Sequence, residues 1–150
     1  MSGSIFAVAD RQRILDRLAA LRPDSSRLWG KMTIGQMLAH CQQPLRVALG
    51  ELQLKRNLIG FLFGKMAKKK LLAAAPWKPG MPTAPQFKIT DARDFARERD
   101  QLVALVRRLG EGGPAALTKA PHPFCGPMTV AEWDALQWRH LDHHLRQFGA

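Results

Sequence analysis

Apolar residues recur along this chain at helical intervals and never in sustained alternation. Residues 10–21, DRQRILDRLAAL, put Ile14, Leu15, Leu18 and Leu21 on one stripe, which predicts a first helix with Asp10 as its cap and Pro23 as its stop. Thr33-Ile-Gly-Gln36 has the spacing of a capping box, in which the threonine oxygen and the glutamine side chain satisfy two orphan backbone donors. Ile34, Leu38, Cys41, Leu45, Ala48 and Leu52 follow at helical spacing and predict a second helix. Pro44 falls inside it, has no donor for the carbonyl of His40, and is expected to bend the axis beside that histidine.

The next stretch, LQLKRNLIGFLFGKMAKKKLL, reads as one or two short amphipathic pieces broken at Gly60 or Gly64. Residues 76–90, PWKPGMPTAPQFKIT, hold four prolines and a glycine, which exclude regular helix and predict an extended connection wrapping the surface. Asp91 is expected to cap a third helix to about Leu109, with Phe95, Leu102, Leu105, Val106 and Leu109 inward and Gly110, Gly112, Gly113 and Pro114 ending it. Residues 111–128 form a second long loop. Thr129-Val-Ala-Glu132 is a second capping box and opens a last helix running nearly to residue 150. With no alternating strand pattern, the fold class is all-α.

Length and charge narrow the picture. At 150 residues the chain suits one domain, 1–150, burying roughly 70% of its unfolded surface. The net charge of +11 draws anions without choosing among phosphate, nucleic acid, acidic lipid and acidic substrate. Two cysteines, Cys41 and Cys125, are too few for a disulfide framework, and a reducing compartment, the cytoplasm, is the simpler expectation. The opening residues lack the order of a secretory signal. The greasy region from Leu52 to Leu72 contains Lys55, Arg56, Lys65 and Lys68 to Lys70. Each charge near a bilayer centre costs about 2.5–3.5 kcal/mol, so a transmembrane span is rejected.

The strongest chemical signal is WRHLDHHLRQFG. His140 and His144 are four residues apart and so share one helical face, where two imidazoles can chelate one metal ion. At about 100° per residue, Gln137, His140, His144 and Gln147 form a stripe beside the apolar face of Val130, Trp133, Leu141 and Phe148. His143 turns toward Arg139 and Arg146 and is not taken as a ligand. His40, at the edge of the second helix's apolar face, can complete three nitrogens across a bundle. Three neutral imidazoles leave a coordination position open, as catalytic sites do. The bland alternative is a solvated C-terminal turn whose histidines suit the helix dipole.

Other candidates carry less. Cys41 lies deep on the apolar face, where a cysteine acts as a small hydrophobe. His122 and Cys125 sit in APHPFCGPMT, a loop that can approach a site or serve as a plain rigid connection. Lys65, Lys68, Lys69 and Lys70 adjoin Leu58, Phe61, Leu62 and Phe63 and read either as a docking segment for an anionic membrane or nucleic acid, or as a solvated helix end. No base-stacking pattern, zinc-finger spacing or glycine-rich phosphate loop accompanies them.

His40 in MLAHCQ, and His140 and His144 in HLDHHLRQ, resemble the metal site of the DinB/YfiT-like superfamily of bacterial four-helix proteins. That superfamily has one histidine on the second helix and an H-x-x-x-H pair on the last, with glutamine at the place of Gln147. Within it, LWGKMTIGQMLAHCQ, APWKPGMPTAP, HPFCG and HLDHHLRQFG resemble a branch known only as a domain of unknown function. Cys125 departs from that branch, which has an aromatic residue there, so no family role passes to it.

The resemblance implies a DinB-like four-helix bundle with long proline-rich loops and a zinc or nickel ion on His40, His140 and His144. Its relatives include thiol-dependent isomerases and transferases as well as DNA-damage-inducible proteins. The functional expectation is a divalent-metal-binding protein, a metal-dependent hydrolase or a thiol-dependent transferase or isomerase. Its partners would be a small-molecule substrate and a low-molecular-weight thiol. Gln147 and Gln137 would orient ligands or substrate. The alternative is a non-enzymatic stress-response or binding module whose basic surface docks an anionic partner. A homodimer is left open.

Overall fold

The computed structural model describes residues 3–55, 58–73 and 75–150, without the side chains of residues 58–61. Arg56 therefore lies outside the described residues, as do the side chains of Leu58 and Phe61. Among the described residues the chain is all-helical, with five α-helices and no strand. They are α1 (Val8–Ala20), α2 (Ile34–Ala48), α3 (Leu58–Leu72), α4 (Phe95–Gly112) and α5 (Val130–Gln147), with 3-10 turns at Pro85–Phe87 and Gly113–Ala116. No helix among them is long and apolar enough to cross a membrane.

Both expected capping boxes form. Thr33 accepts from the Gln36 amide and Gln36 Oε1 accepts from the Thr33 amide, and Thr129 and Glu132 repeat the exchange at the start of α5. Two other caps differ from expectation. Asp10 does not cap α1, which starts earlier from Ala7; Ser4 Oγ takes the Phe6 and Ala7 amides, and Asp10 Oδ2 accepts from the Ser4 amide. Asp94, not Asp91, caps α4 by accepting from the Arg97 amide at 2.8 Å. The Asp91 carbonyl instead accepts from Gln36 Nε2, which ties this loop to the start of α2.

The stretch around α3 is one helix, unbroken at Gly60 or Gly64. Gly64 is there for contact and not for a turn: a Cβ on it would lie 2.7 Å from the Phe124 carbonyl oxygen, so its bare face lets α3 approach the 122–126 loop. Leu52, expected on the α2 stripe, lies beyond the end of that helix. Helix α4 continues past Leu109 to Gly112, and Pro44 is accommodated inside α2. The 76–90 connection contains no α-helix, and turns at residues 79–80 and in the 3-10 segment Pro85–Phe87.

Helix α2 packs most extensively on α4, and α1 and α5 close around the pair, while α3 lies against α5. Leu18, Leu38, Leu45, Leu102 and Leu109 are fully buried at their centre, and each such burial contributes about 1.5–3 kcal/mol. A polar clamp joins α2 to α4. Gln42 Nε2 donates to the buried Glu98 carboxylate at 2.7 Å and to the Glu98 carbonyl at 3.1 Å, and Arg93 lies 3.6 Å from the other carboxylate oxygen. Such a buried carboxylate needs these donors, because leaving it unpaired would cost several kcal/mol. The sequence pattern carried no sign of this pair.

Candidate metal centre

Helices α2 and α5 bring His40, His140 and His144 together. One ring nitrogen from each lies within 4.8 Å of the others, a set able to hold a metal ion. The ring centroids are 4.7–4.9 Å apart, and His40 Nε2 and His140 Nε2 are separated by 3.0 Å. Two nitrogens on one tetrahedral zinc ion would stand roughly 3.3 Å apart, close to the separation of the His40 and His140 nitrogens. His40 and His144 are buried, and His140 keeps partial exposure.

The partners of these rings decide which nitrogen is free. His40 Nδ1 meets the Phe87 carbonyl at 2.8 Å, and His144 Nδ1 meets Gln147 Oε1 at 2.9 Å. A carbonyl oxygen only accepts, so Nδ1 carries the proton in both rings and each Nε2 keeps its lone pair. The Gln147 amide is itself held, because its Nε2 donates to the Trp29 carbonyl at 2.8 Å. Gly30 makes that approach possible: it has φ +81, and a Cβ there would lie 2.6 Å from Gln147 Nε2. This is the outer support that orients metal-binding imidazoles.

Burial is the first cause that lowers the pKa of all three histidines. His144 falls to about 3, with the neighbouring His40 adding to the effect, while His140 is lowered well below the ordinary histidine range with help from His144 and His40. In His40 the Phe87 hydrogen bond opposes the shift in part. The rings are neutral at ordinary pH, the form that binds a metal. Three neutral, borderline-soft nitrogen donors suit zinc or nickel better than magnesium or calcium.

Residues 6–150 match the model of a family described as "Protein of unknown function (DUF1569)". The chain belongs to this DUF1569 family. No curated protein and no solved structure matches it. The family match spans α1 to α5 and so covers the triad and both long loops.

The remaining candidates are placed differently. His143 has the charges of Arg146 and Asp142 beside it, and two indoles the sequence did not suggest: its ring lies 5.8 Å from Trp29 and 5.7 Å from Trp77, on loops that fold over α5. It borders the triad without belonging to the coordinating set. Gln137 is buried one turn before His140, and its Nε2 has no hydrogen-bond partner among the described residues. His122 Nδ1 accepts from the Phe124 and Cys125 amides at 3.1 Å each, which builds the 122–126 turn, and burial lowers its pKa to about 4. Cys125 is buried, and burial raises its thiol to about 11. Cys41 is core, 3.6 Å from Met37 Sδ, with its thiol pushed up by burial.

Three contributors escaped the sequence reading. Phe87 acts through its backbone carbonyl, which no side-chain pattern reports. Trp77 stands 5.9 Å from the His140 ring, anchored by its Nε1 donating to the Leu71 carbonyl. Arg139 stacks near Trp77 and donates to the Leu71 carbonyl, so it helps hold the loop over the site. The expected surface-wrapping loop thus forms the roof of the centre.

Proposed function

We propose that this protein is a divalent-metal-binding protein whose His40, His140 and His144 hold one zinc or nickel ion with a coordination position left open toward a substrate pocket. The observation that carries this reading is the pair of Nδ1 donors, to Phe87 and Gln147, which leave Nε2 of His40 and of His144 unprotonated, with His140 Nε2 3.0 Å from that of His40. A histidine cluster in a solvated C-terminal turn would not have two tautomers locked by buried acceptors. We further propose a single domain in which α1, α2, α4 and α5 form a DinB-like four-helix bundle and α3 is an addition. The pairwise packing of those four helices supports it.

When bound, such an ion polarises a carbonyl, lowers the pKa of a bound water or accepts a thiolate. The chain's own contribution is to keep three imidazoles neutral, to fix two of their tautomers, and to cover the position with Trp77 and the 81–87 loop. The reactions that fit are hydrolysis and transfer or isomerisation that uses a low-molecular-weight thiol. Metal analysis after exposure to Zn²⁺ or Ni²⁺ tests the reading. About one ion per chain is expected in the parent protein and almost none in His144→Ala; a parent protein that retains no metal would overturn it.

A second reading draws on a separate surface. Leu62, Phe63 and Met66 of α3 are 64%, 52% and 65% exposed, and Lys65, Lys69 and Lys70 are exposed on the same helix. Lys68, expected in the solvated run, is instead tied to Glu132 at 2.7 Å and to the Pro127 carbonyl at 2.9 Å. Apolar and basic side chains together fit an anionic membrane surface. Flotation with phosphatidylserine vesicles at low salt, lost at high salt and in Leu62→Ser/Phe63→Ser, is the expected result.

A further inference from the structure

The triad stands between two largely apolar compartments that differ in one respect: lysines line the second and not the first. Both are bordered by His40, His143 and His144, and by Met81, Thr83 and Phe87 of the covering loop. The first has a cavity volume of about 160 Å³ and is walled by Leu71, Trp77, Ala84, Phe124 and Leu136. An apolar cavity of about 150 Å³ takes a benzene ring, so a phenyl-sized group matches this one. The second, of about 480 Å³, reaches past Gln147 to Lys31 and Lys88, both exposed. No aspartate or glutamate among the described residues lines either compartment.

We infer that the substrate of this site is a two-armed small molecule: an uncharged, phenyl-sized apolar arm enters the compartment walled by Leu71, Ala84 and Leu136, an anionic arm reaches Lys31 and Lys88, and the reacting group lies between them at the triad. The inference rests on the metal reading, because the triad supplies the anchor for the central group. Chemistry separates the arms. The first compartment is lined by no lysine, arginine, aspartate or glutamate among the described residues, so a charged arm there would give up water for no ionic partner. A cationic arm in the second would meet two lysines and a protein of net charge +11. Exposed lysines act at modest strength and through salt-dependent attraction, so they choose the arm's sign more than they set its affinity.

The test uses the full chain loaded with Co²⁺, whose visible absorption reports both metal binding and coordination of a thiolate. The probe is N-(2-benzyl-3-mercaptopropanoyl)glycine, which has a thiol for the metal, a benzyl arm and a carboxylate arm. Two deletions accompany it: the 2-methyl analogue without the ring, and the N-methylamide without the carboxylate. The complete probe should bind about tenfold more tightly than either deletion, and the advantage over the N-methylamide should shrink as salt rises.

Lys31→Ala/Lys88→Ala should erase the carboxylate advantage alone, and Ala84→Trp should erase the benzyl advantage alone, both with the Co²⁺ band intact. If the Ala84 variant does not fold, Leu71→Trp serves, and the three probes on the unaltered protein decide the matter in any case. A Co²⁺ band with equal affinity for all three probes would overturn the two-armed substrate and leave the metal reading standing. Absence of the band would overturn both.

Discussion

Helices α2 and α5 open with the same threonine capping box and each turns histidine onto a buried face, while α3, richer in apolar residues, leaves Leu62, Phe63 and Met66 in the open. What separates them is periodicity and partners, not apolar content. The apolar residues of α2 fall on faces that α4 and α5 cover, whereas those of α3 are spread around the helix and α5 covers one side. Precision at a metal centre needs rotamers locked from several directions, which the doubly packed helices provide and the singly packed one does not. Position in the packing thus separates the two helices that bring three ring nitrogens together from one that leaves apolar side chains in the open.

The largest expected effect that sharpens this contrast is in the core. Leu45→Ala on α2 removes a side chain with no exposure, and about 3 kcal/mol of stability should be lost in urea unfolding. If the loss were as small as that of a surface change, α2 would not be the rigid wall described here.

The second contrast is pH. Folded His122 titrates near 4 against an ordinary 6.5, because burial penalises its charged form. As pH falls the unfolded chain therefore takes up its proton first. The stability tied to this group is full above about 6.5 and is lost as pH falls toward 4, up to about 3 kcal/mol. His122→Asn keeps an acceptor for the Phe124 and Cys125 amides, and should flatten the decline in unfolding free energy between pH 7 and 4.5. A slope equal to the parent's would remove His122 as its source.

Next comes the support of the centre. Gln147→Leu deletes the acceptor at His144 Nδ1 and the link to Trp29, and zinc affinity measured by chelator competition should fall about 10–100-fold. Unchanged affinity would show that the ring is oriented by packing alone. The smallest effect belongs to α3, where Leu62→Ala should change unfolding free energy by no more than about 0.5 kcal/mol. A loss like that of Leu45 would mean α3 is part of the core after all.

Much of the candidate site was legible before folding was considered. The His140 and His144 spacing follows from helix geometry alone, and the Thr33 and Thr129 boxes place the starts of the two helices that bear the triad. His40 needed more, because only the packing of α2 on α5 brings residues a hundred positions apart into contact. Gln147 was legible as a neighbour of His144, and its hydrogen bond to that ring agrees. The Trp29 and Trp77 indoles beside His143 were not legible, because angular position on an isolated helix says nothing about loops that fold over it. Asp10 and Asp91 were misplaced because a cap depends on where the incoming chain turns.

The amino-acid order by itself determined the helical class, the two capping boxes and the pair of imidazoles on one face, since each depends on residues within about two turns of one another. The sequence also named His40, and the packing of α2 on α5 is what brings it within reach; tertiary structure alone decided that a backbone carbonyl at Phe87 and a glycine at Gly30 support the site, and that two compartments, one of them reaching Lys31 and Lys88, meet at it. The reason is physical: hydrogen bonds to backbone atoms and cavities between elements carry no side-chain signature, and they exist only once distant segments are packed.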